Sequence, residues 1–248
     1  MKPKPHPAFV RIPHHWIEEG GLRAYRWGKG EGVDGLSALM VFTALLHHLE
    51  DHDGSSRRTY DQLSEATGLA RATVSRGLSV AAERGLISRP PAGRSSFQIT
   101  NFDLEKPWAM FPVKAMYTGQ TISAFRDFNL RRPAELDILK FFFLCVARRD
   151  RATNTANITH EQIHSLSGIA MHNIKRATSG AAALSLIYTE QFARLGGQLG
   201  VRHGYRVVGI YPNWHSGTMA REGAEFTKVS GIEASTGTRS FADRLAES

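Results

Sequence analysis

Cationic and hydroxyl side chains recur at helical spacing within residues 71–83. Val74, Leu78 and Ala81 are spaced by four and three residues, which predicts the buried face of a helix. The side chains between them then point outward: Arg71, Thr73, Ser75, Arg76 and Ser79. Arginine pairs with guanine in the major groove, short hydroxyls bond to base edges, and no carboxylate precedes Glu83 in this helix. We therefore expect the five outward residues to contact DNA.

A second short helix is predicted just before this one and would set its orientation. Leu63 and Ala66 give that helix an inward face, and the hydroxyl of Thr59 can cap its start. Gly68 follows as the residue best able to adopt the positive φ of a turn. Residues 59–87 are thus predicted to form a helix-turn-helix that presents the outward face to the major groove.

The segments upstream of the helix-turn-helix predict an extended start and a strong apolar helix. Residues 9–17 are expected to be an extended segment that a proline bends into a short helix, and 20–34 to be mostly loop. An apolar helix is predicted to begin near Leu36 and to be ended by the turn-forming residues 53–56.

A β-hairpin is predicted directly after the helix-turn-helix. The sequence SRPPAGRSSFQITNF alternates Phe97 and Ile99 with polar residues behind a Pro-Pro-Ala-Gly turn. A helix-turn-helix followed by such a hairpin predicts a winged helix. Arg89 and Arg94 lie near the tip of the wing, where they can reach phosphate or a minor groove. The alternative for each arginine is a solvated turn.

The sequence repeats itself at an offset of 100 residues. Residues 159–187 align without a gap on 59–87, and upstream the offset is 99, so that Ile12-Pro13 falls on Phe111-Pro112 and 39–46 on 138–145. The identical pairs are Thr59/Thr159, Gln62/Gln162, Gly68/Gly168, Ala70/Ala170, Arg76/Arg176, Ser79/Ser179, Ala81/Ala181, Ala82/Ala182, Leu86/Leu186 and Ile87/Ile187.

The repeat predicts an α+β protein of two tandem winged helix-turn-helix domains. The expected divisions are a flexible basic arm at 1–8, an N-terminal winged-helix domain at 9–106, a C-terminal winged-helix domain at 107–212 and a weakly ordered tail at 213–248. In the second domain, a strand over Ile187–Ala193, a glycine-rich tip and a return strand over 205–211 are predicted to form a longer wing.

The second copy carries different side chains on its outward face. Lysine and arginine can bind phosphate or guanine, and asparagine can pair with adenine, so the two faces should read different base pairs. The expected DNA-contacting residues are His172, Asn173, Lys175 and Arg176 on the helix, and Arg194 and Arg202 on the wing.

Glycine stands inside both outward-facing helices, at Gly77 and Gly180. Each lowers helix stability by ~1 kcal/mol relative to alanine. We therefore expect another backbone, of the protein or of DNA, to pass close to each glycine.

The composition favours a polyanionic partner and argues against several other classes of protein. The chain has 31 Lys and Arg against 23 Asp and Glu, a net charge of +8. Its single cysteine, Cys145, excludes an internal disulfide and a thiolate zinc cluster. No apolar run approaches the ~20 residues of a membrane span, and the N-terminus lacks an apolar signal core, so a cytoplasmic location without membrane contact is expected.

No catalytic or metal-binding motif is found in the sequence. The histidine pairs His48/His52 and His160/His164 have helical i,i+4 spacing but no matching acidic or cysteine ligand, so they are interpreted as solvent-facing or cap-region histidines. Phosphate-loop, nucleophile-elbow and acidic nuclease motifs are missing from the chain. We expect no enzymatic activity, no cofactor and no metal.

The layout FVRIP…LSALMVFTALL…TYDQLSEATGLARATVSRGL…ERGLI resembles the winged-helix modules of plasmid and phage replication proteins. It is also similar to MarR- and GntR-type regulators. The resemblance covers about residues 9–211 and implies an initiator that binds repeated origin sequences, recruits host replication factors and represses its own promoter as a homodimer. It assigns base reading to Arg71, Thr73, Ser75 and Arg76 in the first copy and to Asn173, Lys175 and Arg176 in the second.

Three functions remain open from the sequence. The favoured one is a sequence-specific double-stranded DNA-binding protein that initiates plasmid-type replication, located with the nucleoid or plasmid. The alternatives are a transcriptional regulator that binds operator DNA and contacts RNA polymerase, and a winged-helix adaptor that binds proteins without DNA. Ala183 replaces a usual core leucine in the second copy, so this copy could instead mediate dimerisation.

Overall fold

The computed structural model describes residues 5–28, 30–50, 53–89, 95–103, 105–193 and 201–210, with the backbone alone for 191–193 and 201–203. It is 48% helical and 18% strand. This mixed content of helix and strand is consistent with the predicted α+β class.

The first half places short strands on both sides of three longer helices. The sequence order is β1 Phe9–Pro13, α1 His15–Glu18, a 3₁₀ turn Gly21–Ala24, α2 Gly32–Leu46, β2 Ser55–Arg57, α3 Tyr60–Thr67, α4 Arg71–Glu83, β3 Ile87–Ser88 and β4 Ser96–Ile99. Strands β2, β4 and β3 form one antiparallel sheet in that spatial order. The extended segment, the short helix and both strands of the hairpin were predicted.

The bounds of α2 differ from the prediction at both ends. The helix begins at Gly32 rather than near Leu36, because its first turn carries one apolar side chain, Val33, and so lies outside the apolar pattern. It ends at Leu46, where the chain turns so that Leu49 bridges to Ser56. Residues 55–57 therefore form strand β2 instead of a terminating loop.

The second half has a similar order of elements. It runs β5 Trp108–Pro112, a 3₁₀ turn Lys114–Met116, β6 Tyr117–Thr118, β7 Thr121–Ile122, a 3₁₀ turn Ser123–Asp127, α5 Pro133–Ala147, α6 His160–Ser167, a 3₁₀ turn Met171–Asn173, α7 Ile174–Ala183, β8 Ile187–Ala193 and β9 Val201–Val207. Strand β8 has the predicted bounds. The prediction for the return strand was wrong, because Ile187 pairs with Val207 and Gly209 then turns the chain at a φ of 80°.

Helices α2 and α5 form the centre of the molecule. Nearly every residue of both helices is buried, so neither shows the polar face of a surface helix. The rings of Phe42 and Phe143, one from each helix, lie 6.1 Å apart, and Trp16 packs edge-on to both at 5.9 Å. The buried apolar side chains of the two halves therefore form one continuous core.

The two halves also pair through their first strands. Strands β1 and β5 are antiparallel with Arg11 opposite Met110, residues that match at the offset of 99. Thr121 of β7 donates its hydroxyl to the Glu65 carbonyl of α3, 3.0 Å away. In the other direction, α6 packs on the 3₁₀ turn that precedes α2. In each half, a segment that precedes the central helix therefore contacts the other half. Strand β7 contacts α3, and the 3₁₀ turn Gly21–Ala24 contacts α6.

Candidate nucleic-acid interface

Local hydrogen bonds fix the turn between α3 and α4. The Thr59 hydroxyl accepts from the Gln62 backbone at 3.2 Å, and the Gln62 side chain accepts from the Thr59 backbone at 3.0 Å, which is a complete capping box. Gly68 takes a φ of 72°, and its N–H donates to the Ser64 carbonyl. The predicted cap and the predicted turn glycine are both confirmed.

Helix α4 lies tightly against α2. Val74, Leu78 and Ala81 are buried, as their spacing predicted. A Cβ added to Gly77 would lie 2.9 Å from the backbone carbonyl of Ser37. The backbone expected near Gly77 is therefore that of α2, and this close approach fixes which face of α4 turns outward.

The outward face of α4 consists of the five predicted residues. Arg71 and Arg76 are exposed, while Thr73, Ser75 and Ser79 are half-buried. The Ser79 hydroxyl donates to the Ser75 carbonyl within the helix, at 3.2 Å. The two arginines and the side chain of Thr73 stand free of the core and can meet a partner molecule.

Two carboxylates approach this face from neighbouring helices. Arg71 Nη1 donates to Asp61 Oδ1 of α3 at 2.7 Å, and Arg76 Nε donates to Asp34 Oδ1 of α2 at 2.9 Å. Helix α4 itself has no carboxylate before Glu83, as the sequence showed, and both carboxylates come from other helices. Asp34 lies 42 residues before Arg76, so nothing in the local sequence indicated the pair.

The ion pair with Asp34 holds Arg76 in one orientation. Its Nη2 also donates to the Thr73 hydroxyl, at 3.4 Å. Exposed pairs of this kind contribute at most ~1 kcal/mol to folding, so their main effect is on where the guanidinium points. Asp34 contacts Nε and Thr73 contacts Nη2, whereas guanine binding uses two N–H groups of the guanidinium.

The second helical pair repeats the caps of the first. Thr159 and Gln162 form the same capping box at 3.2 and 3.0 Å, and Gly168 has a φ of 70°. The following helix differs, because residues 171–173 form a 3₁₀ turn before α7 begins at Ile174. In α4 the corresponding residues are already α-helical.

The outward face of α7 carries the predicted cationic residues in a different arrangement. His172, Lys175 and Arg176 are exposed, and Asn173 is half-buried. Arg176 Nη2 donates to the Asn173 side-chain carbonyl at 3.0 Å. Asp137 of α5 lies beside this group, where burial raises the pKa of its carboxyl although Lys140 and Arg176 act in the opposite direction. The amide of Asn173, in the 3₁₀ turn before α7, thus orients Arg176, whereas the carboxylate of Asp34, in α2, orients the matching Arg76.

Gly180 does not meet a backbone as Gly77 does. A Cβ at Gly180 would collide with the side chain of Ile138 of α5. The expected backbone approach is therefore wrong at this position.

The predicted wing residues are only partly described. Arg89 is exposed directly after β3. Arg94 and Arg194 lie outside the described residues, and Arg202 is placed on β9 by its backbone alone.

The described histidines of the two predicted pairs lie in different surroundings, and His52 is outside the described residues. His48 is half-buried against Arg58 and Tyr117 rather than solvent-facing, and burial lowers the pKa of His48 to about 3. His164 is exposed in the last turn of α6, as expected. Among the described residues no group of three His, Cys, Asp or Glu side chains could hold a metal. Burial raises the pKa of the Cys145 thiol.

Within the same described part of the chain, no helix is long and apolar enough to cross a membrane. No protein family, curated protein or solved structure matches this chain.

Proposed function

We propose that the chain is a sequence-specific double-stranded DNA-binding protein built of two tandem winged helix-turn-helix units, 9–106 and 107–212. The observation that carries this proposal is the pair of capped helix–glycine–helix segments. Each of them holds an exposed cationic helix face in front of a buried central helix.

The strands around these helices support the winged-helix interpretation. In the first half β2 pairs with β4, and Ser56 lies opposite Phe97. In the second half Ala156 bridges to Tyr205 of β9, which itself pairs with β8. Each helix pair is thus followed by a hairpin, β3–β4 or β8–β9. The second strand of that hairpin also pairs with the residues just before the helix pair.

The pairing of β1 with β5 suggests how the two faces are related. Because Arg11 lies opposite its own counterpart, Met110, the strand pair has an approximate two-fold axis at that position. Two helices related in this way meet a duplex as two inverted half-sites. Their unlike side chains make the expected target an imperfect inverted repeat, bound by a single chain.

The charge of the protein supports the same partner. A net charge of +8 favours contacts of lysine and arginine with phosphate, which release counterions. Affinity is then expected to fall steeply with salt, while the residues on α4 and α7 determine which sequence is preferred.

For the biological role we propose initiation of plasmid-type replication, with host replication factors as further partners. The tandem layout and the resemblance to replication proteins support this role. A transcriptional regulator would use the same DNA-binding faces. An array of direct repeats with an AT-rich stretch next to the gene would support the initiator, and a single inverted repeat in a promoter would support the regulator.

Selection of bound fragments from a random duplex library at ~100 mM salt tests the proposal. We expect enrichment of one site with two unlike half-sites, and a logarithmic affinity that falls linearly with the logarithm of salt concentration. A library without enrichment, together with binding that does not depend on salt, would support the adaptor and overturn the proposal.

A further inference from the structure

A cationic cleft of about 510 Å³ lies at the carboxyl end of α5, between the segment before β5 and the residue after β1. This volume is within the range of small-molecule sites. The lining contains three permanent cations and one carboxylate, Glu105. Its polar and aromatic members include His14, Lys106, Trp108, Arg149 and Arg151.

The other half has a counterpart of this cleft that its own side chains occupy. At the carboxyl end of α2, the ring of His6 stacks on Tyr117 at 4.0 Å and lies 5.7 Å from His48. The two places are equivalent in the fold. His6 lies before β1 as Lys106 lies before β5, and Tyr117 lies after β5 as His14 lies after β1. The space at the end of the central helix is therefore filled by the rings of His6 and Tyr117 in the first half and is an open cleft in the second.

Among the described residues, neither Arg149 nor Arg151 forms a salt bridge with a carboxylate. Arg149 is only 9% exposed, and its Nη1 donates to the Asn154 side chain at 3.1 Å, while its Nε has no partner among the described residues. Arg151 stands beside it, and burial together with the charge of Arg151 lowers the pKa of Arg149. The charge of the nearby Asp150 acts on the Arg149 pKa in the opposite direction, but the hydrogen bonds of its carboxylate come from Thr153 and Ala152. A bound anion would relieve this repulsion.

The guanidinium of Arg151 is held in place at the edge of the cleft. It lies 4.4 Å from the centre of the Trp108 ring, and its Nη2 donates to the Trp108 carbonyl at 3.0 Å. An arginine fixed in this way can bind two oxygens of a phosphate at little further loss of side-chain freedom.

The cleft is separate from the outward face of α7. Asp137, which lies beside that face, and Ala147, which lines the cleft, are ten residues apart on α5, or roughly 15 Å along the helix. A ligand in the cleft would not compete directly for the residues of that helix face.

We propose that this cleft binds a small molecule carrying a diphosphate or similarly charged phosphate group. Arg149 and Arg151 bind the phosphate oxygens, Lys106 lies at the mouth of the cleft, and His14 contributes a ring nitrogen. The proposal does not depend on the proposed function, because it requires no DNA.

Calorimetric titration of the full chain with inorganic pyrophosphate tests this site, and a parallel titration with ATP shows whether a larger molecule carrying the same group fits. We expect saturable binding at one site. Arg151→Gln and Lys106→Gln should each weaken it by about tenfold or more. Both side chains are exposed, so neither change should disturb folding, which circular dichroism checks.

Lys114→Gln is the matched control, since it removes one exposed positive charge beyond the opposite end of β5. It should change pyrophosphate affinity less than twofold. Equal weakening by all three variants, or binding that does not saturate, would overturn the proposal. So would displacement of pyrophosphate by duplex DNA together with a lower salt slope of DNA binding in Arg151→Gln, because the cleft would then belong to the DNA-binding surface.

Discussion

At the scale of single residues, the two arginines expected to read DNA are oriented by different kinds of group, one on a distant helix and one three residues earlier in the chain. Asp34 of α2 holds Arg76 at 2.9 Å, whereas Asn173 holds Arg176 at 3.0 Å. Because the first pair joins two charges and the second does not, removal of the two partners should have different consequences.

Replacing Asp34 with asparagine should reduce the preference of the protein for its own site. The variant loses the charge that orients Arg76 and also one negative charge near the duplex. We therefore expect non-specific affinity to rise slightly and the ratio of specific to non-specific affinity to fall about five- to tenfold. Binding to specific and scrambled duplexes measures this ratio. Asp127→Asn, an exposed carboxylate on another surface turn, is the control, and an equal ratio in both variants would contradict the assignment.

The histidines at the end of α2 should make the stability of the fold dependent on pH. Burial lowers the pKa of His47 well below its usual value, and burial with the charge of Arg58 lowers the pKa of His48 to about 3. In the unfolded chain both titrate near 6.5. Between these values the unfolded chain binds protons that the folded chain does not, so stability is complete above pH ~6.5 and falls as the pH decreases towards 3.

Thermal unfolding of the full chain checks this expectation. The midpoint should be lower at pH 5 than at pH 7.5, and His48→Gln should reduce the difference. His15→Gln, an exposed histidine on α1, should leave the difference unchanged. The same decrease in the His48 variant as in the unchanged chain would show that His48 does not contribute.

At the scale of helices and strands, the structure separates features with local causes from features with distant ones. The cap at Thr59 and the turn at Gly68 depend on residues three to nine positions apart, and the sequence predicted both. The reciprocal bond from Gln62 and the matching box at Thr159 were not predicted, although they are equally local. Strand β2 was not predicted, because three residues carry little pattern and the partner, β4, lies about 40 residues later. The carboxylates beside Arg76 and Arg176 escaped prediction for the same reason, since α2 and α5 supply them.

The two glycines of the outward-facing helices should differ in their tolerance of alanine. At Gly77 the added Cβ meets the backbone of α2, which cannot move without separating the two helices. At Gly180 it meets Cδ1 and Cγ1 of the Ile138 side chain, so a side chain rather than a helix backbone must shift. Both substitutions gain ~1 kcal/mol of helix propensity.

Gly77→Ala is therefore expected to lower the free energy of unfolding by about 1–3 kcal/mol, and Gly180→Ala to change it by less than ~1 kcal/mol. Denaturant unfolding of the two variants measures both values. A larger loss at Gly180 than at Gly77 would contradict the packing of α4 on α2.

At the scale of the whole molecule, the two halves share one core. Phe143 of the second half is fully buried and packs on Phe42 and Trp16 of the first half and on Phe111 of β5. The sequence indicated two similar units by its repeat, but it could not show that their central helices pack on each other. Such contacts join residues about 100 positions apart and leave no periodic pattern.

Phe143→Ala should destabilise both halves together, by about 3–5 kcal/mol. Hydrogen exchange of the backbone amides in α4 and α7 distinguishes shared from separate unfolding. We expect both helices to lose protection to the same extent, while Tyr188→Ala, a change of an exposed ring, leaves both protected. Loss of protection in α7 alone would show that the halves unfold independently.

The claim on which the whole account depends is that the outward face of α4 reads DNA. The most direct test is the affinity of Arg76→Gln for the duplex that the unchanged protein selects, compared with Lys114→Gln, which removes one exposed charge in the 3₁₀ turn after β5. We predict that Arg76→Gln loses about 1–3 kcal/mol, roughly 5- to 150-fold in affinity, and that Lys114→Gln loses less than twofold. Unchanged affinity in a folded Arg76→Gln protein would contradict the account.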